Sequence, residues 1–334
     1  MTSEPAVPDP APTAARRPSP RRVGLWLLLG AVLLGCTLCA TRSEQDLDAE
    51  VEALNSDNMR VRREALFKSA VYDEDGHTRL GEPQPGDWLH ARPEPGQRFD
   101  EFALAARRRS AARGAIVFQP LGELSRDARG ALGETQTFAE AFFGCPTRLA
   151  PPQPLPEAAW VEDRRQYRGD DLLEHLSGRA PPDALIYAGV TERDLFTESL
   201  NFVFGLGGTG RGVGVYSFLR FREPDDPQRY LRRCLHIIAH ELGHTLGMAH
   251  CTYYRCVMNG INSLDELDRS TLHACPVCLR KLQHALGFEV SVRYRELEDW
   301  YRAAGLAAEA DWVHARRAHL EQTGRPAPWR EDAR

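Results

Sequence analysis

The residues best suited to chemistry lie between His240 and Cys278. His240, Glu241 and His244 have the spacing His-Glu-x-x-His, and the run continues through Gly247 to His250. On a helix, residues four apart share one face, about 6 Å along the axis. His240 and His244 can therefore offer imidazole nitrogens to one cation. Glu241, one position round, reaches a water on that cation instead of competing for it. A catalytic zinc keeps three protein ligands and one open position, so a third donor is needed. Gly247 supplies the geometry, because glycine enters the left-handed conformation that ends a helix. The returning chain brings His250. The chemistry open to such a set is hydrolysis. Zinc lowers the pKa of a water to about 7, and a carboxylate beside it takes the proton as the water attacks a carbonyl.

Four thiols follow at once: Cys251, Cys256, Cys275 and Cys278. Thiol-rich sets of this kind form closed, structural zinc sites. In an oxidising compartment the close pairs could instead become disulfides. A zinc ion here would staple the segment after His250 to a helix opening at Cys275, and so fix the return that places His250 and Met258.

These side chains need a rigid helix behind them. Leu231, Cys234, Leu235, Ile238, Leu242 and Leu246 recur at helical spacing, with His240 and His244 on the opposite side. The stripe would pack under a sheet while the histidines face a cleft. Upstream, Ala115–Phe118 and Ala184–Val190 read as buried strands, and Asn201–Phe204 and Val213–Phe221 as two more. Thr135–Phe143 and Asp170–Leu176 read as helices, a short strand lies near Thr147, and Pro151–Gly169 reads as loop.

The chain resembles the archaemetzincins, a metzincin-like family of zinc metallopeptidases. The resemblance rests on His240, Glu241, His244, Gly247, His250, Cys251, Cys256, Met258, Cys275 and Cys278, and spans about Gly114 to Phe288. It implies an α+β, zincin/metzincin-like fold: a mixed, mostly parallel sheet with an antiparallel edge strand, an active-site helix, a Met-turn at Met258 and a C-terminal helical part stapled by a four-cysteine zinc site. It implies two Zn2+ ions, a catalytic one on the three histidines and a structural one on the four cysteines. Glu241 would be the general base in cleaving a peptide or protein substrate. Residues 201–206 would form the edge strand that pairs with extended substrate. Some relatives lack the third histidine; this chain keeps it. No tyrosine follows Met258 closely, which leaves Tyr253 and Tyr254 as the nearby phenols.

The remaining sequence frames this core. The 334 residues carry a formal charge of −5, which gives no support for nucleic-acid binding. Gly205-x-Gly207-x-x-Gly210 matches a dinucleotide fingerprint formally, but a strand follows it where that fingerprint needs a helix. No nucleotide is expected, and the glycines read as a flexible hairpin turn. Residues 1–40 divide into a basic, Pro/Ala-rich leader and an apolar run, Val23 to Ala40, laid out like a secretory signal. The run contains Val32-Leu33-Leu34-Gly35-Cys36, which resembles a bacterial lipobox with lipid on Cys36. An uncleaved anchor is the competing reading, since about eighteen apolar residues can just span a bilayer; a buried helix is the third. Either membrane reading places the enzyme outside the cytoplasm, and a misassigned start would leave it cytoplasmic. Residues 41–110 read as a polar helix and a covering segment anchored by Trp88 and Leu89, with a solvated acidic loop at Asp73–Gly76. Residues 111–290 read as the catalytic domain, and 291–334 as a C-terminal helical extension and tail. A surface-anchored, zinc-stabilised peptide-binding protein with little turnover is the alternative function.

Overall fold

The computed structural model describes residues 60, 63–106, 114–208 and 212–323. The leader, the apolar run, Cys36, the basic cluster at Arg107–Arg109 and Arg113, and the end of the chain lie outside the described residues. Among the described residues no helix is long and apolar enough to cross a membrane.

In chain order the strands are β1 Ala115–Leu121, β2 Thr147–Leu149, β3 Trp160–Val161, β4 Gln166–Arg168, β5 Ala184–Thr191, β6 Leu195–Thr197, β7 Leu200–Val203, β8 Gly205–Gly208 and β9 Val213–Ser217. The helices are α1 Trp88–Ala91, α2 Phe99–Ala106, α3 Arg126–Phe143, α4 Gly169–Ser177, α5 Pro227–Thr245, α6 Leu264–Arg269, α7 Pro276–Leu286, α8 Val290–Ala303 and α9 Ala307–Thr323. A further helical stretch covers 63–72.

Five strands pair in the order β2-β1-β5-β9-β8. All neighbours run parallel except β8, which is antiparallel to β9 at the edge. Parallel strands are covered on both faces, and β1 and β5 are accordingly buried along almost their whole length. Alternation then divides their side chains. Ile116, Phe118, Ile186 and Ala188 join the core beneath α3 and α5. Val117, Leu121 and Tyr187 pack with Leu172 and Leu176 of α4 on the other face. The fold is thus α+β with a mostly parallel sheet and an antiparallel edge strand.

Several local readings need correction. Helix α3 starts at Arg126, well before Thr135, because Ser125 caps it by accepting from Ala128 N, and Ala128, Ala131 and Leu132 continue its buried face. Pro151–Gly169 is not all loop. It contributes β3 and β4 to a second sheet of order β3-β4-β6-β7. Strands this short show no readable alternation. Side chains help hold them, such as Gln166, which donates to Asp194 Oδ2 at 2.9 Å and Asn201 O at 3.0 Å.

The expected edge strand at 201–206 is split. Leu200–Val203 belongs to the small sheet, and the edge proper is Gly205–Gly208. The first glycines of the supposed hairpin turn are therefore strand, in register Gly205↔Tyr216 to Gly208↔Val213. Four residues with a single side chain among them leave no pattern to read, and backbone pairing defines the strand.

From residue 63 onward the described residues form one compact unit. Within it the last helices share the core of α5: Tyr294, Tyr301, Val313 and Leu320 are buried in the same cluster as Leu235 and Leu242. In the acidic loop Glu74, Asp75 and Gly76 are exposed, while Asp73 is half-buried. Buried Arg316 of α9 reaches Asp73 Oδ1 at 3.1 Å, and His319 lies 2.9 Å from its other oxygen.

Candidate active site and metal centres

Helix α5 is built to stop in one place. Asp226 caps its start by accepting from Arg229 N at 2.9 Å, with Pro227 as the first helical residue. At its end, Gly247 takes φ 94. Gly247 N donates to His244 O at 2.8 Å and Met248 N to Gly243 O at 3.0 Å. This pair of bonds is a Schellman cap, and the left-handed residue it needs is the glycine the spacing marked.

The reversal brings His250 back over the helix. The rings of His240, His244 and His250 lie with centroids 4.6–5.2 Å apart. One ring nitrogen from each lies within 4.8 Å of the others, and His240 Nε2 is 2.9 Å from His244 Nε2. Each Nδ1 faces only an oxygen acceptor: Val257 O at 2.9 Å for His240, Met248 O at 2.7 Å for His244 and Glu94 Oε2 at 2.8 Å for His250. An acceptor at Nδ1 requires the proton there, and a ring in that tautomer turns a bare Nε2 lone pair inward. Three converging lone pairs repel one another unless a cation joins them. The donor set fits a divalent ion such as zinc, with the outer hydrogen bonds that orient metal-bound imidazoles already in place. Burial and the neighbouring imidazoles push His240 far below the ordinary histidine range; burial also lowers His244. Both are thereby held in the neutral, ligating form.

Glu241 lines the same cleft of about 320 Å3, with Trp88, Arg92, Phe202, Phe204, Gly205 and Ile261 among its other walls. Burial raises its carboxyl above the usual range, with His244 acting in the opposite sense. The edge strand crosses close beside it. A Cβ on Gly205 would lie 3.1 Å from Glu241 Cγ, and one on Gly207 3.3 Å from Glu241 O. Glycine here lets β8 lie directly against the motif helix.

Met258 is buried under the site, and a Cβ on Gly243 would collide with its sulfur. The motif glycine between Leu242 and His244 thus seats the methionine. Tyr253 and Tyr254 do not line the cleft. Tyr254 instead packs under Arg79.

The four expected thiols meet. Cys251, Cys256, Cys275 and Cys278 are all buried and free, with sulfurs within 4.8 Å of one another. Backbone Cys275 N donates to Cys256 Sγ at 3.3 Å. Burial holds the Cys275 thiol well above its ordinary range, and the adjacent sulfurs do the same to Cys278. A divalent cation would reverse that balance and gather the thiolates. Cys234 is buried on the apolar stripe, while Cys145 is half-buried and pushed up to about 12 by burial.

Several supports carried no readable spacing. Asn259 closes the Cys251–Cys256 loop, accepting from Cys256 N at 2.7 Å and donating to Cys251 O at 2.7 Å. Gln97 brackets the helix cap, donating to Gly247 O at 3.2 Å and accepting from Ala249 N at 3.1 Å. Lys281 of α7, fully buried, donates to Gln97 Oε1 at 3.1 Å. Glu94 holds His250 from the covering segment. The one sequence signal for it is its place between Pro93 and Pro95.

Comparison with known proteins fits this geometry. The model of Peptidase family M54 matches residues 171–284, which enclose all three histidines, Glu241 and all four thiols. Archaemetzincin-2 of Pongo abelii is 30% identical over 267 residues, covering 65% of this chain and 72% of that protein. The chain belongs to the archaemetzincin family. Archaemetzincin-1 of Homo sapiens is 32% identical over 289 residues, 73% of this chain and 56% of that protein. The crystal structure of archaemetzincin from Methanopyrus kandleri shares 30% identity over 53% of this chain and 97% of its own, with a TM-score of 0.48. As an archaemetzincin the chain is a zinc metallopeptidase, a hydrolase acting on peptides.

Proposed function

We propose that His240, His244 and His250 hold the catalytic zinc of this peptidase, that Glu241 is its general base, and that Cys251, Cys256, Cys275 and Cys278 hold a second, structural zinc. The observation that carries the reading is the convergence of three Nε2 lone pairs whose Nδ1 partners all accept. Zinc in that set supplies Lewis acidity, lowering the pKa of a water to about 7 and offsetting charge on a carbonyl oxygen.

The chain's own residues supply the rest. Glu241 accepts the proton of the attacking water at a carboxylate oxygen and returns it to the leaving amine. Burial raises its carboxyl above the ordinary range, in the sense that helps it keep the proton between the two transfers. Peptide substrate lies extended along the outer side of β8, where main-chain pairing fixes the scissile carbonyl across from Glu241. Phe202, Phe204 and Ile261 offer an apolar wall for a substrate side chain.

Glu241→Gln tests the assignment. Hydrolysis of a fluorogenic peptide should fall by about 10^2–10^4-fold while both zinc ions stay bound. Retained turnover would remove Glu241 from its role. Metal analysis of His240→Ala/His244→Ala should show two ions falling to one. We further propose anchoring to a membrane outside the cytoplasm through residues 23–40, supported by the basic flank and the lipobox-like run ending at Cys36. Cell fractionation and mass analysis for lipid on Cys36 test it, and a delipidated, cytosolic protein would refute it.

A further inference from the structure

The third histidine is held from an unexpected place. His240 and His244 are oriented by carbonyls of their own neighbourhood, whereas His250 is oriented by a carboxylate 156 residues away in sequence. We propose that Glu94 is a positioning residue of the zinc centre, and that the covering segment Trp88–Gln97 is a built part of that centre. The proposal rests on the reading of the three histidines as zinc ligands.

The segment is shaped for the task. Pro93 and Pro95 flank Glu94, and proline fixes its own φ while pushing the residue before it to an extended conformation. Gly96 follows at φ 74, packed so closely on Thr252 that a Cβ there would collide with its hydroxyl. The carboxylate is therefore presented from stiff backbone fitted to the turn just past His250. Both its oxygens are engaged. Oε2 lies 2.8 Å from His250 Nδ1, and Oε1 accepts from Trp88 Nε1 at 2.7 Å. The Trp88 ring meets the His250 ring edge-on at 5.3 Å, which blocks rotation of the imidazole. Trp88 is itself fixed, its backbone N donating to Glu266 at 3.0 Å and its indole filling the space above Gly260. At the other end of the segment Gln97 clamps Gly247 and Ala249.

A carboxylate on Nδ1 does more than hold the ring. It fixes the proton on Nδ1 and leaves Nε2 free to ligate. Loss of such partners costs about 10–100-fold in metal affinity. A carboxylate that only docked the segment would act through the fold, and its loss would lower the metal-free melt along with the affinity.

The test is chelator competition for zinc on the full chain, with thermal melting of the metal-free protein alongside. The His240→Ala/His244→Ala variant identifies the release step that belongs to the thiols. In Glu94→Ala the histidine-site zinc should be released at about 10–100-fold lower chelator, with the thiol step unmoved and the metal-free melt near that of the wild type. Glu94→Gln keeps an oxygen acceptor without the charge and should fall between. Unchanged release from the histidine site in Glu94→Ala overturns the proposal. Should the alanine variant not fold, unchanged release in Glu94→Gln overturns it equally. A wild type showing only the thiol step would defeat the zinc reading first, and that outcome is distinct because it needs no Glu94 variant.

Discussion

The contact between β8 and α5 makes a graded prediction from two glycines on one face of the strand. Neither Gly205 nor Gly207 has a positive φ, so alanine is free of backbone strain at both. Only space decides. A Cβ at Gly205 would sit 2.7 Å from Tyr216 Cδ1 and 3.2 Å from Glu241 Cδ. The tyrosine ring is fully buried and cannot swing away, so the strand or the glutamate must move. A Cβ at Gly207 would meet Glu241 O at 3.3 Å, His244 Cβ at 3.4 Å and Thr245 Cγ2 at 3.5 Å, which needs a shift of only a few tenths of an ångström. Overpacking of the first kind costs about 1–3 kcal/mol, and about 2–4 °C of Tm per kcal/mol in a domain this large. The catalytic loss is larger, because displacing a reacting group by about 1 Å can cost about 10^2-fold. Gly205→Ala should therefore lose about 10–100-fold in kcat/KM together with several degrees of Tm. Gly207→Ala should stay within about threefold and about 1 kcal/mol of the wild type. The measurements are thermal melts of the zinc-loaded protein and initial rates on a fluorogenic peptide. Equal behaviour of the two variants, or an unaffected Gly205→Ala, would refute the register of β8 against the helix and with it the placement of substrate beside Glu241.

Other consequences follow from single sites. Cys278→Ser should empty the thiol site and also weaken zinc binding at the histidines, because Val257 O, which orients His240, is next to Cys256; metal analysis and chelator competition would show both losses. Gly130→Ala and Gly133→Ala, in α3 with open space where each Cβ would go, should each raise stability by about 0.5–1 kcal/mol by denaturant titration. Burial and the charge of Arg316 hold His77 at about 4, below the ordinary 6.5. The unfolded chain then takes up a proton that the folded one refuses, so this contribution is intact above about pH 6.5 and is lost as pH falls toward 4, at most about 3 kcal/mol. His77→Phe should flatten that acid limb, and a wild-type-like loss of Tm between pH 7 and 4.5 in the variant would refute the assignment.

What was legible in the sequence divides by range. His240, Glu241, His244, the cap at Gly247 and the apolar stripe of α5 obey the helix period, so short-range rules reach them. The thiols could be read because metal sites reuse a few spacings. Buried strands such as β5 announce themselves by composition. Gly205–Gly208 hid because its signal is the absence of side chains, and an absence of side chains also marks a turn. Glu94, Gln97 and Lys281 hid because their partners are distant in sequence, and one acid or amide has no period.

That division matters for how the proposed metal centre would be assembled. Its three inner nitrogens depend on three separate outer oxygens. Met248 O belongs to the helix cap itself. Val257 O belongs to the loop that the thiols close. Glu94 comes from the covering segment. Each imidazole is thus aimed by a different part of the fold, and no one part can complete the set. Buried Lys281 ties two of them together: it sits one turn beyond Cys278 on α7 and donates to Gln97, which clamps the cap. A catalytic zinc needs its ligands placed to a fraction of an ångström. The same placement requires the thiol loop closed, the covering segment docked and α5 terminated at Gly247. Metal affinity at the histidines is therefore a readout of all three, and a variant remote from the motif can lower it without touching a ligand.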